Sequence, residues 1–93
     1  MTREEFTVRV ALLGFDRNPY IGPQYIFTSR VNGRLIEFYD NTDDQTHPHP
    51  FNGIFGAGVS EYSLRGIARG DYACALMRIT ELLNARSKAD ENT

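Results

Sequence analysis

The chain has 93 residues, a formal net charge of −2 and a hydrophobic fraction of 41%, which suits one domain over residues 1–93 and leaves too little chain for a second core. No stretch approaches the roughly 20 apolar residues of a membrane-spanning helix, and residues 1–5 are charged where a signal peptide is apolar, so we expect a cytoplasmic protein without a membrane partner. The negative charge argues against a general polyanion binder, and the single cysteine, Cys74, excludes an intramolecular disulfide.

The first predicted element is a β-strand. Phe6, Val8, Val10 and Leu12 alternate with other residues, the period-2 pattern of a strand with one buried face. Gly14 ends the pattern, and the segment 15–23 that follows contains two prolines, which is typical of a loop. We therefore expect a strand over 6–12, followed by a loop that is unusually apolar.

A β-hairpin turning on Asn32-Gly33 is the clearest local signal, because both residue types tolerate the positive φ angles of a type I′ turn. A two-residue turn also determines the pairing, in which Tyr25 faces Asp40 and Ser29 faces Ile36. One face of this hairpin then carries apolar residues and is predicted to be core: Phe27, Val31, Ile36 and Phe38. The opposite face is mixed in character, and we expect it to meet solvent or a partner.

The segment 40–58 has no sustained periodicity and is predicted to be a long irregular loop. It holds the one cluster of metal-ligand residue types in the sequence: His47 and His49 with Asp40, Asp43 and Asp44. The signal is weak, because the flanking prolines favour polyproline II, in which alternate side chains point in different directions. We predict no metal and no cofactor.

The C-terminal third is predicted to be mainly helical. Residues 59–69 fit either a short helix capped by Ser60 or a strand. The last element is a helix capped by Asp71, with a frayed tail over 89–93. Its apolar stripe is predicted to cover the sheet: Tyr72, Ala75, Leu76, Ile79, Leu82 and Leu83. The predicted fold class is α+β, a three-stranded antiparallel sheet of β-β-β order packed by a C-terminal helix, with a short extra helix or strand before it.

No residue pattern in the chain indicates catalysis. Cys74 lies inside the predicted last helix with no positive group beside it to activate the thiol. Neither Ser60 nor Ser63 stands in the context of a nucleophile elbow. We therefore predict a protein that is not an enzyme.

The leading hypothesis is a small non-enzymatic binding protein that acts through a protein–protein interface, on a protein partner or on a second copy of the chain. Phage-encoded inhibitors and accessory factors share this type. Aromatic anchors dominate the energetics of such interfaces. The residues predicted to bind the partner stand in two apolar loops: Phe15, Tyr20, Ile21, Phe51, Ile54 and Phe55.

Two other hypotheses stay open. One is nucleic-acid binding through the hairpin, whose Arg30, Arg34 and Tyr39 supply positive charge and a stacking surface; it is not favoured, because the nearby acidic loop repels phosphate. The other is a small metal-dependent enzyme centred on the His-Pro-His segment that includes His47 and His49.

Overall fold

The computed structural model of the chain describes residues 1–17, 25–31, 34–54 and 64–91. The helices and strands of this described part follow in chain order: α1 (Arg3–Leu12), β1 (Asp16–Arg17), β2 (Tyr25–Val31), β3 (Arg34–Asp40), β4 (Phe51–Ile54) and α2 (Tyr72–Glu91). The four strands form one antiparallel sheet of order β1-β2-β3-β4. The predicted α+β class, with an antiparallel sheet packed by a C-terminal helix, is confirmed, although the sheet gains β1 and β4 and loses the strand predicted over 6–12.

That strand is replaced by helix α1, so its prediction is wrong. The helix begins with a capping box, in which the Thr2 hydroxyl accepts the Glu5 N–H at 3.1 Å and the Glu5 carboxylate accepts the Thr2 N–H at 3.2 Å. Phe6 and Val10 are both fully buried and lie one helical turn apart. An alternating apolar pattern also contains residues four apart, so it fits the period of a strand and that of a helix. The capping box decides in favour of the helix.

Helix α1 ends in a Schellman motif at Gly14. The Gly14 N–H donates to Ala11 O at 3.0 Å, and the Phe15 N–H donates to Val10 O at 3.1 Å. Gly14 has a φ of +100°, which an L side chain rarely adopts. The turn brings Phe15 back to the core, where its ring centroid lies 5.0 Å from that of Phe38.

The hairpin of β2 and β3 has the register predicted from the sequence. Phe27 pairs with Phe38, Ser29 with Ile36 and Tyr25 with Asp40. Phe27, Ile36 and Phe38 are buried, which confirms them as core. The turn residues 32–33 lie outside the described part of the chain.

The segment 40–58 is not irregular throughout. Residues 51–54 form the edge strand β4, which pairs with β3 so that Phe51 lies opposite Asp40 and Gly53 opposite Phe38. Residues 55–63 lie outside the described part, and with them residues 59–63 of the region predicted as a short helix or strand; the described remainder, 64–69, belongs to neither an α-helix nor a strand. Beyond it, Leu64 and Ile67 are buried.

Helix α2 is capped as predicted, since the Asp71 carboxylate accepts the Cys74 N–H at 3.1 Å. Every residue of the predicted stripe is buried in the core cluster or packs against it: Tyr72, Ala75, Leu76, Ile79, Leu82 and Leu83. Cys74 is a free thiol that packs beside them. The helix continues to Glu91, through most of the tail predicted to fray. Within the described residues, neither α1 nor α2 combines the length and apolar character that crossing a bilayer requires.

Phe6 lies at the centre of the core. Its ring centroid is between 5.0 and 6.3 Å from those of four other aromatic residues: Phe27, Phe38, Phe51 and Tyr72. Two of these belong to the hairpin, one to β4 and one to α2. Both helices therefore pack on the same face of the sheet. The buried side of α1 makes this contact.

Candidate functional site

The six loop residues predicted to bind a partner are not a surface patch in the described structure. Phe15 is only 3% exposed and Phe51 is fully buried, so their prediction as interface anchors is wrong. The Schellman motif directs Phe15 inwards, and strand β4 places Phe51 on the core face, with its ring 5.6 Å from that of Tyr72. Tyr20, Ile21 and Phe55, together with the side chain of Ile54, lie outside what the structure describes.

An apolar surface lies instead on the outer side of α1. Val8 and Leu12 stand one turn apart and are 61% and 83% exposed, respectively. They line an open depression of about 530 Å³, together with the charged side chains of Glu4, Glu5 and Arg9. The strand prediction placed Val8 and Leu12 on the same buried face as Phe6 and Val10. In the helix, Phe6 and Val10 lie on the buried side, while Val8 and Leu12 face solvent.

A second depression continues this surface onto α2. It has a volume of about 270 Å³ and is lined by Arg9, Leu12, Leu13, Leu76 and Thr80. Because Arg9 and Leu12 line both depressions, the two are continuous. We call the combined region the α1–α2 surface, defined by these residues: Glu4, Glu5, Val8, Arg9, Leu12, Leu13, Leu76 and Thr80.

The charges on the α1–α2 surface are arranged along the helix axis, with the acids in the first turn of α1 and Arg9 in the last. The hydrogen bonds with Thr2 hold the pKa of Glu5 below its ordinary value. The Glu4 and Arg9 side chains make no hydrogen bond and no ion pair within 4.0 Å with another described residue.

The residues proposed for nucleic-acid contact do not form a basic platform. Arg30 pairs with Leu35 and Tyr39 with Ile26, which places Arg30 and Tyr39 on one face but about 13 Å apart along the strands. Glu37 lies between them on β3, and a depression of about 470 Å³ near Arg30 also contains Asp16. Arg34 opens β3, and its side chain is not described. Within the described residues, the charge of this face is mixed.

The metal-ligand candidates are engaged with the loop and with α1. Asp43 accepts two hydrogen bonds from the Arg3 guanidinium, at 2.8 and 2.9 Å. His47 Nδ1 accepts the His49 N–H at 3.0 Å, and Asp44 accepts from the Thr46 N–H and hydroxyl. In the part of the chain that the structure describes, no three His, Cys, Asp or Glu side chains are grouped to hold a metal ion.

A buried polar network connects α1, the end of β3 and α2. The Asp40 carboxylate is fully buried and accepts three hydrogen bonds, from Arg3 Nε at 3.2 Å, the Tyr72 hydroxyl at 2.9 Å and the Thr42 N–H at 2.9 Å. Burial raises the pKa of Tyr72. Asp40 has no exposed atoms, and the network joins three elements of the fold, so its hydrogen bonds stabilise the packing of α1 and α2 at the end of β3.

Arg69 holds the segment between β3 and β4. Its guanidinium donates to four carbonyl oxygens at 2.7–3.3 Å, those of Asn41, Thr42, Asp44 and His47. This segment is therefore fixed to the residues that precede α2. Sequence reasoning missed both arginine contacts, because Arg3 and Arg69 meet partners 22 to 69 residues away in the chain.

The ion pair of Arg3 and Asp43 makes stability depend on pH. The hydrogen bonds from Arg3 lower the pKa of Asp43 below its unfolded value of about 3.9, so the stabilisation is complete above that pH and is lost as pH falls through the folded-state pKa. We expect the difference in free energy of unfolding between the wild type and Asp43→Asn to be constant above about pH 5 and to shrink below about pH 4. Urea denaturation across this range measures it, and a difference independent of pH would contradict the assignment.

Comparison of the chain with protein-family models, with curated proteins and with solved structures found no match.

Proposed function

We propose that this chain is a small non-enzymatic binding protein that docks on a protein partner, or on a second copy of the chain, through the α1–α2 surface. One observation carries the proposal, the exposure of Val8 and Leu12 on a helix whose other side carries the fully buried Phe6 and Val10. Single exposed apolar residues are ordinary on protein surfaces. Here Val8 and Leu12, two of the most exposed apolar side chains, are adjacent, and the apolar surface continues from them through Leu13 to Leu76. Contiguous apolar patches of this kind mark interaction sites.

The composition of the surface supports the same function. Apolar and polar side chains alternate along it, with Val8, Leu12, Leu13 and Leu76 beside Glu4, Glu5, Arg9 and Thr80. Protein–protein interfaces combine both kinds, apolar side chains that supply affinity and polar side chains that supply orientation. An inhibitor or an accessory factor acts in this way, by occupying a partner's surface without catalysis.

The other two hypotheses have less support. The hairpin face carries acids among its basic residues, which weakens any attraction for phosphate. Of the residues proposed as metal ligands, the side chains of Asp43, Asp44 and His47 are already hydrogen-bonded, to Arg3, to Thr46 and to the His49 N–H, respectively. No specific contact of the described residues favours either function.

Site-specific photo-crosslinking tests the proposal. A photoreactive amino acid is placed at Leu12 in one variant and, as a matched control, at Leu35 in another, since Leu35 is an exposed leucine on the outer face of the sheet. Illumination of the native cytoplasm should give protein adducts at position 12 and few or none at position 35. Absence of adducts at position 12, or equal adducts at both positions, would contradict docking through the α1–α2 surface.

A further inference from the structure

We infer that the occupant of the α1–α2 surface is a second copy of this chain, with the two α1 helices packed antiparallel about a two-fold axis at the height of residue 7. This inference rests on the proposed function and names its partner. The inference rests on the charges of α1. When a second copy of the helix runs in the opposite direction, its acidic and basic side chains lie opposite the basic and acidic side chains of the first copy.

The charge complementarity follows from helix geometry. Glu5 and Arg9 are four residues apart, which puts them about 6 Å apart along the axis and on the same edge of the exposed face of α1. A two-fold axis midway between them places Glu5 of each copy opposite Arg9 of the other copy. Two equivalent ion pairs form, because a two-fold interface repeats every contact.

The same axis covers the exposed apolar side chains. Val8 lies one residue from the axis, so the two copies of Val8 meet with an offset of about 3 Å. Leu12 lies about 7.5 Å from the axis, at the height of residue 2 of the other copy. Met1, which is 47% exposed, stands at that end of the chain. The contact therefore covers Val8 of both copies and brings Leu12 of each copy to the N-terminal end of the other.

The antiparallel arrangement is favoured over the parallel one. In a parallel pair, the acids of the first turn would face each other and so would the two copies of Arg9. Reversal pairs opposite charges and also brings the positive end of each helix dipole near the negative end of the other. The α1 helix has 10 residues and is about 15 Å long, so the interface is small and the association weak and concentration-dependent.

Charge reversal with mixing tests this geometry. Glu5→Arg alone creates two contacts between arginines across the axis, and Arg9→Glu alone creates two between glutamates. By sedimentation equilibrium at low salt, each variant should self-associate roughly tenfold more weakly than the wild type. An equimolar mixture of the two variants should recover dimers, because the introduced arginine of one variant then meets the introduced glutamate of the other, and the native Arg9 of the first meets the native Glu5 of the second.

The mixture is the decisive arm, because Glu5→Arg also removes half of the capping box and weakens α1 by itself. A folding defect would not be repaired by adding a second variant. Arg30→Glu, an exposed substitution on the hairpin, is the charge-matched control and should leave dimerisation unchanged.

Two results would overturn the inference, a wild type that stays monomeric up to about 1 mM, or a mixture that dimerises no better than its components. In either case, adducts between position 12 and other proteins would leave the proposed function standing with a different partner. If position 12 also gave no adducts in the crosslinking experiment, both the inference and the proposed function would be contradicted.

Discussion

Replacing Phe6 with alanine should lower the free energy of unfolding by about 3–5 kcal/mol, the range for truncation of a buried phenylalanine. The reason is its place among four aromatic rings from β2, β3, β4 and α2, each within 6.3 Å of its own. A cavity at this point removes contacts from every layer of the core at once. Surrounding side chains cannot collapse into it, because each is held by a different strand or helix.

Val8→Ala is the matched control, since it shortens an apolar side chain in the same helix. Val8 is exposed, so its truncation should change the free energy of unfolding by no more than about 0.5 kcal/mol. Chemical denaturation of both variants measures the contrast. Similar losses at the two positions would mean that residues 6–12 present one apolar face, as a strand would, and not two.

Arg3→Ala should destabilise the fold by about 3 kcal/mol, because it removes the cationic partner of a buried carboxylate. Asp40 is fully buried, and Arg3 supplies its only charged hydrogen bond among the described residues. The substitution also releases Asp43 and removes a donor to Tyr72. Arg9→Ala, in the same helix but without a described side-chain partner, should cost little.

A double-variant cycle separates the charge from the packing of Arg3. In an Asp40→Asn background the buried negative charge is absent, so Arg3→Ala should cost at least about 1 kcal/mol less than it does in the wild type. Denaturation midpoints of the four proteins give the coupling. Equal costs in both backgrounds would show that Arg3 stabilises the fold without the Asp40 charge, through its contacts with Asp43 and Tyr72 or through its aliphatic chain.

The hairpin and α2 were predictable from the sequence, because local chemistry determines them. The residue types of Asn32-Gly33 predict a two-residue turn, and the register of β2 and β3 is the one that follows from this prediction. The Asp71 cap and the apolar stripe account for the start and orientation of α2. In both cases the local preference and the packed structure agree. No distant contact was needed to choose between alternatives.

The error at α1 has a physical reason. Residues 6–12 include several β-branched types that favour strands, and their alternation satisfies a period of two as well as a spacing of four. The helical signals were Thr2 with Glu5 at the start and Gly14 just after the end. Weighing the cap above the alternation would have predicted the helix, and with it the exposure of Val8 and Leu12.

The remaining differences depend on contacts that are distant in sequence. Strand β4 has only four residues and includes Gly53, so it shows little pattern and forms because β3 offers an edge. The Arg69 contacts fix a segment whose composition indicates only a loop. Phe15 and Phe51 were assigned to the surface because they stand in apolar loops, but a helix end and an edge strand turn them inwards.

We propose that one side of α1 stabilises the fold and that the other side binds a partner. The double variant Val8→Asp with Leu12→Asp is the most direct test. Its free energy of unfolding, measured in dilute solution where the wild type is monomeric, should differ from that of the wild type by less than about 1 kcal/mol, since both side chains already meet solvent. Its association through α1 should be lost. A loss of several kcal/mol, of the size that follows from burying two charges, would contradict the exposure of these residues and the binding surface built on them.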